Sequence, residues 1–317
     1  MNLTTTTQVD PGVAVFYDRV LLKRALPELV HDRFAQKSPI PSNGGTTIKF
    51  RRYSSLTPAM TPLSEGQTPP GQKMAKTDLQ ATASQYGDFI HITDVVDLTV
   101  EDRSLTIAAE LLGEQIGLTF DTVTRNVLAA TASASNASGG TNGDAPTEIT
   151  QDDIDYVVTI LLGGNAKFIT NMVKASTGVG TEPVRQAFWS IFHTDITSDI
   201  ENCRDFTPVN KYAQQNDVQP AEWGSTKNVR WLMTTNAYKT SLDSSLSANR
   251  YFLPIIGRDA YGTVDITGGN MQNIVKDFGS GGTTDPLNQR ATSGWKAWFV
   301  ARILNDAFIH ILKVTKG

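Results

Sequence analysis

A chain of 317 residues, 39% hydrophobic and 19% charged, is long enough for one core with large extensions or for two or three modest cores. Its composition excludes intrinsic disorder, and its longest largely apolar run, Val157 to Leu162, is far short of the roughly 20 residues that cross a bilayer. The net charge of −4 excludes a generally basic nucleic-acid binder, and a single cysteine, Cys203, excludes an internal disulfide and a thiolate-rich zinc site. The opening residues lack the basic and apolar regions of a secretory signal, so a cytoplasmic protein is expected.

The charge is unevenly spread. Residues 1–76 carry a net +5, residues 77–160 a net −12 and the remainder +3. These regions either neutralise each other within one subunit or place a basic N-terminal stretch on the acidic region of a second copy. Contacts of the second kind would weaken with salt.

In chain order, residues 13–35 repeat apolar side chains at helical spacing, with Pro27 as a breaker, and read as an arm carrying a short kinked helix. Ser42 to Gly45 is a turn signal before Thr46 to Tyr53, whose β-branched and aromatic content predicts a strand. Four prolines and two glycines between 54 and 76 leave no regular period, and strand character returns at Leu79 to Ser84 and Asp88 to Ile92. Residues 43–93 therefore read as a long two-stranded projection.

Leu105, Ala108, Leu112, Ile116, Phe120, Val123 and Val127 then form one apolar stripe at helical period, predicting a helix from about 100 to 130 with Thr99 and Asp102 as its capping box. Ser133 to Gly143 has the composition of a loop, and Thr150 followed by Asp152, Asp153 and Asp155 opens a second helix that Gly163-Gly164 ends. From 185 to 285 short strands such as Ala187 to His193 and Val229 to Thr234 alternate with turns, an order that fits α+β and not repeated βαβ units. The final segment, Trp295 to Leu304 and Phe308 to Thr315 around Asn305-Asp306, reads as a β-hairpin.

No motif carries chemistry. The glycine cluster 279–282 lacks the lysine of a phosphate-binding loop, and the four histidines, His31, His91, His193 and His310, have no metal-ligand spacing. His193 with Asp195 and His91 with Asp94 could be written as acid–base pairs, and Asp152, Asp153 and Asp155 as a divalent-metal cluster. Strand residues among apolar neighbours and acids at a helix N-terminus have simpler structural readings. Cys203 beside Arg204 reads as a partly buried thiol, and the tryptophans as core or interface anchors.

Several blocks resemble one family. They are Tyr17-Asp18-Arg19, Leu26 to Val30, Pro39-Ile40-Pro41, Gly44 to Tyr53, Thr61 to Gly66, Gln85 to Asp88, Ala108 to Gln115 and Gly294 to Phe299. Together they resemble the major capsid proteins of tailed phages of the coliphage N-four type. The resemblance implies an α+β Hong Kong 97-like fold, divided into an N-terminal arm (1–42), an extended β-hairpin loop (43–98) and a peripheral domain on a long spine helix (99–185). An axial domain (186–285) and a C-terminal β-hairpin returning to the peripheral domain (286–317) would follow.

The same resemblance implies a non-enzymatic subunit without cofactor or metal, self-assembling as hexamers and pentamers of an icosahedral virion shell in the host bacterial cytoplasm. The shell would enclose double-stranded DNA without sequence-specific binding and without a membrane. A separate scaffolding protein, a portal protein at one vertex and room for a decoration protein are further implied partners. Subunit contacts are expected at Arg51, Arg52, Tyr53, Glu65, Lys73 and Lys76 in the projection, Glu110 and Glu114 on the helix, and Trp295 and Trp298. An encapsulin-like nanocompartment shell is the alternative.

Overall fold

The computed structural model describes residues 30–63, 65–66, 68, 71–95, 104–137, 146–174, 178, 180–213, 218–241, 249–267, 271–281 and 285–317. Most of the arm helix expected within 13–35, and the capping box at Thr99, lie outside them. The strands in order are β1 (Gln36–Lys37), β2 (Thr47–Tyr53), β3 (Lys76–Thr82), β4 (Ser84–Thr93), β5 (Ala134–Asn136), β6 (Phe188–His193), β7 (Phe206–Pro208) and β8 (Glu222–Thr226). There follow β9 (Val229–Thr234), β10 (Lys239–Thr240), β11 (Arg250–Ile256), β12 (Tyr261–Asp265), β13 (Gln272–Lys276), β14 (Arg290–Ile303) and β15 (Ile309–Thr315). The helices are α1 (Ser104–Ala129), α2 (Gln151–Gly163) and α3 (Thr197–Glu201).

Two distant stretches, 250–265 and 299–315, run antiparallel and join two sheets. Strand β11 pairs with β15, and β12 pairs with the end of β14. Between these ladders the Gly257 amide donates to Phe308 O at 2.8 Å, and the Leu304 and Asn305 amides donate to Ala260 O at 2.9 and 3.1 Å. The chain bends at 304–308 and does not reverse, so the expected C-terminal hairpin is not formed: β14 and β15 lie in different sheets. Asn305-Asp306 has the composition of a hairpin turn, but Asn305 Oδ1 instead caps a 3₁₀ turn by accepting from the Ala307 amide. Each flanking strand is already paired elsewhere.

The five-stranded sheet has the order β1-β12-β14-β13, with β4 on the other edge of β14. The eight-stranded sheet has the order β5-β15-β11-β6-β9-β8-β7, with β10 also on β11. Strand β6 is buried at every residue because both faces of this sheet are covered, which is why it reads as an unbroken apolar run. Phe188 and Phe192 face a core with Ile154, Val157 and Leu161 of α2 and Ile200 of α3. Trp189 and Ile191 face the opposite core with Val30, Leu128, Ile256, Tyr261 and Ile309. Strand β5, expected to be loop, pairs in parallel with β15; its Ala-Ser-Asn composition gives no sign of a partner so distant in sequence.

Helix α1, 26 residues and about 39 Å long at 1.5 Å per residue, crosses both sheets. Its first half packs Leu112, Ile116 and Phe120 on Tyr86 and Ile90 of β4 and Trp295 and Ala297 of β14. Its far end sends Leu128 into the core between the sheets. Over the last turns the buried positions are Asp121, Thr124 and Leu128, one residue later than the expected Phe120, Val123 and Val127, which are only half-buried.

The reason for that offset is a buried polar socket. Asp121 Oδ1 accepts from the Val30 and His31 amides at 2.9 and 2.8 Å, and His31 Nδ1 lies 2.8 Å away. Oδ2 accepts from Asn236 Nδ2 at 2.7 Å, and the Asn236 carbonyl and side-chain oxygens accept from Arg125. Burial alone would raise the Asp121 pKa, but the His31 and Asn236 contacts outweigh it and hold the carboxyl below its usual range. Asp121→Ala leaves three donors to be satisfied elsewhere and should cost about 2–5 kcal/mol, read as a lower denaturation midpoint with unchanged slope.

Two buried histidines give the fold a pH limit. His310 sits between Ser133 Oγ at 2.7 Å and Ser135 Oγ at 2.9 Å, holding β5 to β15, and burial lowers its pKa. Burial, opposed by Asp195, also lowers that of His193, whose Nδ1 accepts from the Asp195 amide at 3.1 Å. A histidine with a lowered folded pKa binds protons more weakly than in the unfolded chain, so its full contribution is present above the unfolded value of about 6.5 and falls below it. The midpoint of thermal unfolding should be level from pH 8 to 7 and drop below about 6.5, with a smaller drop in His310→Gln.

Candidate interaction surfaces

Strands β2 and β3 form a separate two-stranded sheet with no third strand among the described residues. Ile48 pairs with Ala81 and Phe50 with Leu79 on one side, while Lys49 with Gln80, Arg51 with Asp78 and Tyr53 with Lys76 lie on the other. Strand β4, expected to belong to this projection, instead pairs with β14 along ten residues. The projection therefore ends at Thr82, and Ala81 and Ala83 are buried where it meets the body.

Beyond the strands the tip is tied shut by one side chain. Gln72 Oε1 accepts from the Thr57 amide and hydroxyl at 3.0 and 3.1 Å, and its Nε2 donates to Thr57 O at 2.7 Å. The tip exposes Leu56, Met60, Leu63 and Met74, with Met60 at 85%. An isolated two-stranded ribbon is at best marginally stable in water, and so much exposed apolar surface marks a contact region.

Among the expected contact residues, Arg52, Tyr53, Glu65, Lys73 and Lys76 are exposed on this projection. Arg51 is exposed too, but its Nε holds Asp78 Oδ1 at 3.0 Å, which raises the Arg51 pKa and lowers that of Asp78. On α1, Ile107, Leu111 and Leu118 are exposed at 44%, 51% and 49%, a second stripe opposite the core, with Glu114 exposed and Glu110 half-buried beside it. Asp88 extends the acidic surface and accepts from Gln115 Nε2 at 2.5 Å.

Trp295 is corrected from a contact residue to a core residue. It faces α1, stacks edge-on against Phe120 at 6.2 Å and donates from Nε1 to Gln115 Oε1 at 3.1 Å. Trp298, three residues on, points to the other face of the sheet and is half-exposed. The alternation of a strand separates them, and in sequence they look equivalent. Sequence reasoning missed Asp121, His31 and Asn236 as a buried socket, and Phe89 and Ile274 as exposed apolar residues on the sheet face turned away from α1. Only the period-two pattern of β4 could have indicated Phe89.

The groups considered for chemistry are engaged structurally. Asp195 Oδ2 accepts from Tyr251 Oη at 2.9 Å and Lys239 Nζ at 3.1 Å, which, with Tyr251 the larger influence, holds its pKa low. Thr150 and Asp153 form a reciprocal capping box at the start of α2, and Lys227 Nζ lies 2.6 Å from Asp155 and 3.3 Å from Asp205. Burial, with Asp153 and Asp199 nearby, pushes the Cys203 thiol up to about 11, the opposite of an activated cysteine. Among the described residues no three His, Cys, Asp or Glu side chains group as a metal site.

No protein-family model matches the chain, and no curated protein sequence is significantly similar to it. Solved structures are similar. The capsid of Ralstonia phage GP4 aligns over 90% of this chain and 87% of its own, with a TM-score of 0.66 and 10% identity. The capsid subunit of cyanophage Pam1 covers 93% of each chain at a TM-score of 0.61 and 12% identity, and that of Helicobacter pylori bacteriophage KHP30 covers 92% and 90% at 0.62 and 8%. The chain has the Hong Kong 97-like α+β fold of tailed-phage capsid subunits.

The two tryptophans make a direct check on the sheet's two faces. Trp295→Ala should cost about 3–5 kcal/mol in chemical denaturation, against under about 1.5 kcal/mol for Trp298→Ala.

Proposed function

We propose that this chain is the major capsid protein of a tailed bacteriophage, of the type that resembles coliphage N-four, and has no catalytic role. The observation that carries the reading is a projection whose two strands pair with no third strand among the described residues, on a body that shares the capsid fold over nine-tenths of its length. A second copy supplies support for it. The basic, apolar-tipped projection of one copy lies on the acidic, apolar-striped face of α1 in the next, which matches the net +5 and −12 of the two regions.

In this reading 1–42 is the arm, 43–83 the extended loop, and α1 with the five-stranded sheet the peripheral domain. The eight-stranded sheet, with β15 included, forms the axial domain. Hexamers and pentamers of this subunit enclose double-stranded DNA, assembled with a separate scaffolding protein, a portal at one vertex and room for a decoration protein. The phage capsids among the similar structures support a virion over a nanocompartment.

Electron microscopy of the chain co-expressed with its genomic neighbours should reveal closed shells of uniform diameter. A protein that stays monomeric under every condition, and is missing from virions, would sink the reading. Arg52→Glu with Lys76→Glu should leave subunit melting within about 2 °C of the parent, since both side chains are exposed, and abolish shells. Adding Glu110→Lys and Glu114→Lys should restore part of the assembly, and raising salt should weaken it in the parent.

A further inference from the structure

The five-stranded sheet has one face covered by α1 and one that no described residue covers over β4, β14 and β13. The register fixes what stands there: Gly87, Phe89 and His91 of β4 lie beside Lys296, Gly294 and Thr292 of β14, which lie beside Gln272, Ile274 and Lys276 of β13. At the centre is Gly294, where a Cβ would come within 2.7 Å of Phe89 Cβ, so the glycine lets the Phe89 side chain lie across the sheet. Phe89 remains 58% exposed and Ile274 38% exposed, flanking a groove of about 470 Å³. Arg290 and Lys276 line the groove and Lys296 stands exposed next to it; none of the three makes an ion pair with a described residue. Two acids line the groove and both are engaged: Asp285 accepts from the Arg290 amide at 2.8 Å, and Asp88 accepts from the Phe89 amide and from Gln115 Nε2 on the α1 side.

We infer that this face docks an acidic, extended peptide segment of a separate protein, seating one apolar side chain between Phe89 and Ile274 with carboxylates on Lys276, Arg290 and Lys296. Charge complementarity selects the occupant. The groove volume is within the range of sites that take a few buried groups, and an apolar floor does not match duplex DNA, whose bases are stacked out of reach. Residues 1–29 of this chain have no net charge and so do not supply the acidic partner. The acidic face of α1 in a second copy is occupied, under the shell reading, by the projection.

The test uses the full chain and a short fluorescein-labelled Asp/Glu-rich peptide with a central leucine, the same peptide with alanine there, and a labelled DNA duplex of similar charge, followed by anisotropy. The leucine peptide should bind saturably, several-fold tighter than the alanine peptide and more tightly than the duplex. Lys276→Glu and Arg290→Glu should each weaken it about tenfold, and added salt should weaken it further. Both side chains are exposed, and equal melting temperatures check that the variants fold; Lys276→Gln and Arg290→Gln, with a smaller expected loss, serve if the reversals do not. No saturable binding, tighter binding of the duplex, or indifference to both substitutions overturns the proposal. So does loss of self-association in Lys276→Glu, which would make the face a contact between copies. Shell formation by a chain that fails to bind the peptide would overturn this site while leaving the capsid reading intact.

Discussion

The buried carboxylate of Asp121 brings together three parts of the chain that are otherwise far apart: residues 30–31, the C-terminal half of α1, and Asn236 beyond β9. A charge removed from water is tolerated only when its oxygens are fully engaged, and that requirement places all three to within hydrogen-bonding distance of one point. The Tyr261 hydroxyl donates to the His31 carbonyl, which extends the same network to the joint between the sheets. The arm's exit, the helix and the two sheets thus share one reference position.

From that point the architecture follows from which faces are left to cover. The eight-stranded sheet uses both of its faces, one against α2 and α3 and the other against Leu128 and Val30. The five-stranded sheet uses one, against α1. Among the described residues, three outward surfaces stand out: the projection, the far side of α1 and the open side of β4, β14 and β13. These differ in sign: basic and apolar on the projection, acidic and apolar on α1, basic and aromatic on the open sheet. A subunit with such a set of unlike surfaces is suited to contacts that are directional, each surface rejecting its own kind.

Much of this was legible in the chain, for reasons that can be named. The projection was signalled by β-rich segments on either side of a Pro- and Gly-rich stretch, and α1 by a long apolar period, because both patterns are local. The errors came from partners that are not. Asp121 occupies a core position that a hydrophobic stripe cannot report, since its burial depends on donors from residues 30, 31 and 236. Adjacency in sequence points β4 to the projection and β14 with β15 to a hairpin, but these strands pair elsewhere. The partners of β4 lie about two hundred residues away along the chain. Trp295 and Trp298 look alike in composition, and only their odd separation along a strand places them on opposite faces.

The narrowness of the projection has a mechanical meaning. A two-stranded ribbon twists and bends far more readily than a sheet clamped by a helix, as the five-stranded sheet behind it is by α1. In a closed shell built from identical copies, neighbours meet at one angle around a fivefold position and at another around a sixfold one. In the shell proposed above, bending of the β2–β3 ribbon would let one sequence serve both settings, while the Gln72–Thr57 tie holds the two sides of the ribbon together beyond its strands.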